Sequence, residues 1–178
     1  MANWVSKKLF GTRKTREEEL ASNLYDALIL DEGPSSDVDD HLDANSLEIP
    51  LDKLARFSAK RLIMLEAFLF VAINTATMPK DDKVHPLFPA VHPLSLEMGK
   101  LLHTKWKERG IKLSGAGAVG ERCFAEVEDA LDKPFKWGRS WLDEFYADPD
   151  RSGEFYIAWT EQCIKEFKAM LLVVEQYA

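Results

Sequence analysis

The sequence predicts an all-α protein: a single-domain helical bundle of five or six helices with a proline-rich connector. Three observations predict it. No stretch sustains the apolar-polar alternation of a half-buried strand, whereas five segments repeat apolar residues at helical steps of three and four. The 178 residues fit one domain, large enough to bury roughly 70% of the surface of the unfolded chain. A composition of 46% hydrophobic and 11% aromatic residues supplies the material for such a core.

The first helix is predicted from about Thr15 to Leu30. Thr15 is its N-cap, Glu17 to Glu19 suit the positive end of the helix dipole, and Leu20, Leu24, Ala27 and Leu28 form its inner stripe. Gly33-Pro34 follows, and Asp31 to Asp52 holds eight acidic residues and no Lys or Arg. Pro50 opens a second helix, about Leu51 to Ala76, with Leu51, Leu54, Ala55 and Ser58 expected inward. Beyond Leu62 it becomes apolar all round, which marks it as the central helix and leaves Glu66 among Leu, Met, Phe and Val. A carboxylate in that setting requires a cationic partner, a raised pKa or an edge facing water.

Four prolines between Met78 and Pro93 make a stiff connector. The third helix, about Pro93 to Arg109, turns Leu94, Met98, Leu101, Leu102 and Trp106 inward and is closed by Gly110. Val119, Cys123, Val127 and Ala130 define a fourth helix, flanked by Phe124 and Leu131. Lys133-Pro134 breaks the chain into a fifth, Pro134 to Tyr146, with Trp137, Trp141 and Phe145 at steps of four. The last helix, capped by Ser152, carries a heptad-like seam of Tyr156, Thr160, Cys163, Phe167, Met170, Val174 and Tyr177. That seam would serve a homodimer as well as an intrachain partner. The short link makes the last two helices antiparallel, so the Trp137 row is expected against Phe155 and Trp159.

Composition narrows function. Thirty acidic residues against 23 basic ones give a net charge of −7, which argues against nucleic acid as the main partner. Cys123 and Cys163 lie 40 residues apart on apolar helix faces, so reduced thiols and a cytoplasmic setting are expected. The N-terminus lacks the apolar run and cleavage site of a secretory signal.

Several patterns bear on chemistry. Ser114-Gly-Ala-Gly-Ala-Val-Gly120 contains GxGxxG, but without a strand before it or a second strand beyond it, no dinucleotide site is expected. Gly115, Gly117 and Gly120 then mark a close helix contact. Asp37 to Glu48 resembles a calcium-binding EF-hand loop at Asp37, Asp39, Asp43 and Glu48, with Leu42 where the turn needs Gly. Asp148 to Gly153 matches the other half of that pattern. His85 and His92, each in a Val-His-Pro-Leu repeat, together with Glu97 and His103, offer metal-ligand types whose convergence depends on the fold. Residues 1–14 form a basic arm set apart from the bundle of 15–178; Trp4, Lys7, Lys8, Phe10, Arg13 and Lys14 would fray, fold back on the acidic loop of the same chain, dock on an acidic partner or, weakly, on an anionic membrane.

With no complete catalytic motif and no cofactor expected, the sequence points to a non-catalytic interaction or regulatory protein with a protein partner. The alternative is a helical-bundle enzyme or metal-binding protein using Glu66 or the His/Glu set, and the third is peripheral membrane attachment through the arm.

Overall fold

The structure, a computed structural model, describes residues 14–30, 47, 49–78, 92–146 and 153–177. Among these it is an all-α bundle: α1 (Arg16–Tyr25), a π-helical turn (Asp26–Leu30), a 3-10 turn (Leu51–Lys53), α2 (Leu54–Ala76), α3 (Pro93–Glu108), α4 (Ala116–Asp132), α5 (Pro134–Leu142) and α6 (Gly153–Glu175). The apolar α2 is central, packed against α6, α4 and α3, while α1 lies along α3. No helix of the described residues is long and apolar enough to cross a membrane.

α1 begins as its sequence dictates. The Thr15 hydroxyl accepts from the Glu18 amide at 3.1 Å, and the Glu18 carboxylate accepts from the Thr15 amide at 2.8 Å, a reciprocal cap that satisfies two otherwise orphan donors. Its far end departs from expectation. The chain widens into the π turn, so Leu24, Tyr25 and Leu28 are all buried while Ala27, expected inward, faces solvent.

α2 corrects a second stripe. The 3-10 turn advances about 120° per residue instead of about 100°, so the inner face begins at Phe57. Leu51, Ala55 and Ser58 are exposed and Leu54 is only partly covered, whereas Phe57 is 2% exposed. From Ala67 to Ile73 every residue is buried, as the all-round apolar run requires.

The aromatic rows meet as their spacing predicts. Trp141 packs on Trp159 with ring centroids 5.2 Å apart, Tyr146 meets Phe155 at 5.7 Å, and Phe57 joins edge-on to Trp141 at 5.5 Å and Phe145 at 5.3 Å. α5 ends at Leu142, short of the expected Tyr146, and a turn delivers Phe145 to the core. In the α6 seam Tyr156, Thr160, Cys163, Met170 and Val174 are buried within the chain, Phe167 is partly covered, and Tyr177 is exposed. Ser152 lies outside the described residues.

The close glycine contact is elsewhere than expected. A methyl group on Gly115 or Gly117 would meet nothing within 4 Å, and one on Gly120 would sit 3.6 Å from the Phe70 ring, an ordinary contact. Gly138 is the tight one: a Cβ there would lie 2.5 Å from both Thr160 Oγ1 and the Tyr156 carbonyl oxygen, so α5 and α6 approach each other through it. Sequence spacing alone gives no hint, since the Gly sits between two tryptophans of the inner row. Gly138→Ala is therefore expected to cost about 1–3 kcal/mol by urea unfolding, while Gly117→Ala, in open space on a helix, raises stability by up to about 1 kcal/mol.

Candidate functional site

Glu66 is fully buried halfway along α2. Two other helices bring it three partners. Tyr25, at the end of α1, donates its hydroxyl to Oε1 at 2.6 Å. Trp106, in the last turn of α3, donates Nε1–H to Oε2 at 2.6 Å. Arg109, the residue that caps α3, forks onto both oxygens, Nη1 to Oε2 at 2.6 Å and Nη2 to Oε1 at 2.8 Å, and Nη2 also donates to the Tyr25 hydroxyl at 3.1 Å. Each carboxylate oxygen thus accepts two hydrogen bonds. A planar guanidinium matches a carboxylate in two parallel bonds, which a lysine could not do.

The surroundings tune these groups. Burial, and then the adjacent Glu66 carboxylate, pushes the Tyr25 hydroxyl up to about 12. The hydrogen bond to Glu66 raises Arg109 further above its ordinary value. Lys105 Nζ lies 4.4 Å from the centroid of the Tyr25 ring, and the Arg122 guanidinium 5.3 Å from that of Trp106, so a cation covers a ring of each neutral donor.

A second cluster lies on the other side of Trp106. Lys60 and Arg122 flank a cavity of about 70 Å³ that also meets Glu126, Trp106 and Trp141. Glu126 Oε1 accepts from Trp137 Nε1 at 3.1 Å, and burial raises the Glu126 pKa above the usual carboxylate range. A third feature is an open cleft of about 450 Å³ at the turn from α3 into α4, where His103, Lys107 and Lys112 stand beside Ile111 and Leu113. Gly110 makes that turn with φ of 78°.

The residues singled out from sequence fare unequally. Glu66 is brought to a built site, with the cationic partner its burial demands. Its partners Tyr25 and Arg109 escaped sequence reasoning, although Trp106 was already on the inner stripe of its helix. Glu97 and His103 stand six residues apart on α3, about 9 Å along the axis and on different faces. Glu97 binds Lys100 at 2.6 Å, and His92 accepts the Leu94 amide through Nδ1 at 3.3 Å as the cap of α3. Among the described residues no group of three or more His, Cys, Asp or Glu converges to hold a metal. His85, the loop residues Asp37, Asp39, Asp43 and Glu48, and the arm residues Trp4, Lys7, Lys8, Phe10 and Arg13 lie outside the described residues, and Lys14 is exposed. Cys123 and Cys163 are buried free thiols; burial pushes Cys123 up to about 12 and Cys163 well above the ordinary thiol value.

No family model matches the chain, and comparison with curated proteins and with solved structures finds no match either.

Glu66→Gln keeps the shape but turns an amide donor toward other donors and strands the Arg109 charge. The cost expected from urea unfolding is about 3 kcal/mol, at the low end for a broken buried pair because the Arg109 side chain is 30% exposed. The Tyr25 contribution has its own pH signature. Because the folded pKa is raised, the stability it supplies is fully present below pH 10 and is lost as pH rises through about 12. Spectrophotometric titration should show a phenolate step near pH 12, and Tyr25→Phe should remove it.

Proposed function

We propose that the protein acts by binding a partner protein inside the cell, as a non-catalytic interaction or regulatory module. One observation carries this reading: Glu66, the fully buried carboxylate at the centre of the bundle, has each oxygen occupied by two donors from its own chain. A general base or metal ligand needs a lone pair directed at substrate or ion; here those positions serve to join α1, α2 and α3. The buried thiols, held protonated by their surroundings, support the same reading, since the thiolate is the nucleophile.

The binding surface is the cleft at the α3–α4 turn. On a chain of net charge −7 it concentrates His103, Lys107 and Lys112, with Ile111 and Leu113 for apolar contact, and so suits an acidic segment of a partner bearing an apolar side chain. Lys107 and Lys112 are exposed, so reversing their charge leaves the core intact.

The tagged full chain, recovered from native lysate of its source cells, is expected to bring down one protein at fixed stoichiometry. The Lys107→Glu, Lys112→Glu double variant should lose it with an unchanged melting temperature. Recovery of no stoichiometric protein by the native chain, or equal recovery by the variant, overturns the proposal.

A further inference from the structure

We propose that the junction of α2, α3, α4 and α5 is a binding site for a small oxyanion, carrying a carboxylate or phosphate group. The site is distinct from the partner cleft and does not depend on it. Its cavity is about 70 Å³, far below the roughly 300 Å³ of a site for a drug-sized ligand but several times what one water needs. Four helices contribute walls: Lys60, Ile63, Met64 and Ala67 at helical steps along α2, Trp106 from α3, Arg122 and Glu126 one turn apart on α4, and Trp141 from α5.

Two cations, Lys60 and Arg122, line the cavity. Glu144 is shared by two cations, Arg56 at 2.9 Å and Lys60 at 3.0 Å. Arg122, among the described residues, has no ion-pair partner. It lies over the face of Trp106. Glu126 is the carboxylate of the lining, and burial raises its pKa.

The aromatic walls set the geometry. Lys60 Nζ is 4.6 Å from the Trp141 ring centroid and donates to the Trp141 carbonyl at 2.8 Å, which holds the ammonium at the mouth of the cavity. The Arg122 guanidinium lies over the ring of Trp106, 5.3 Å from its centroid, and Trp106 is held by its bond to Glu66. Each of these two indoles therefore already has a cation of the chain itself over one face. That arrangement excludes a cationic guest and presents two positioned donors to an anionic one.

The test titrates the full chain with sodium phosphate and with sodium acetate, against sodium chloride at matched ionic strength, following tryptophan fluorescence and melting temperature. A saturable response to phosphate or acetate beyond that to chloride is expected. Phosphate alone would assign a phosphate-type ligand, and acetate alone a carboxylate. Arg122→Gln, at an exposed position, should weaken binding about tenfold, the loss of one charge-assisted contact. Glu126→Gln keeps an acceptor for Trp137 and removes a negative charge, so it should tighten binding. A response no larger than that to chloride, full binding by Arg122→Gln, or weaker binding by Glu126→Gln would each overturn the site.

Discussion

The bundle depends on how it treats one buried negative charge. A carboxylate at the centre of an apolar helix is tolerated only if its lost hydration is replaced, and Glu66 replaces it with four hydrogen bonds from three side chains. Those side chains come from the ends of α1 and α3, so the charge is satisfied only when both helices are docked on α2. Apolar burial alone lets helices slide past one another at modest cost. The paired geometry of Arg109 on Glu66, with Tyr25 bonded to both, admits a single register.

At the N-terminal end of α2 the chain solves a different problem, with Phe57 received by an aromatic corner of Trp141, Phe145 and Trp159. α5 is short, and a helix of its length holds its place by contact area more than by its own hydrogen bonds. The close approach at Gly138 lets it lie directly on α6, and the Thr160 hydroxyl donates to the Pro134 carbonyl at 2.8 Å, tying the start of α5 to that surface.

The helices and most of the core were legible from spacing because the helices around α2 bury a stripe and α2 itself is apolar all round. Val119, Cys123, Val127 and Ala130 are buried as their steps imply, and so is most of the α6 seam. Reading failed where local geometry departs from 3.6 residues per turn, at the π turn that exposes Ala27 and the 3-10 turn that exposes Leu51. It failed again where the informative fact is a distance between helices. Gly115 and Gly117 catch the eye as a pattern yet touch nothing, while Gly138 carries the contact. That Glu66 needed a cation, a raised pKa or an edge facing water was legible, but which of these it has was not, because Arg109 is 43 positions away and sequence separation says nothing of which helix end arrives there.

Trp106 is the one side chain common to the buried carboxylate and to the cavity above it. Its N–H points inward to Glu66, and its ring face points outward to Arg122. A cation resting on an indole draws electron density from the ring and leaves its N–H a more acidic donor. The guanidinium at the protein's surface therefore adjusts the strength of a hydrogen bond that water never reaches. Polarisation of a single aromatic ring gives the interior of the bundle a measure of what stands beside it.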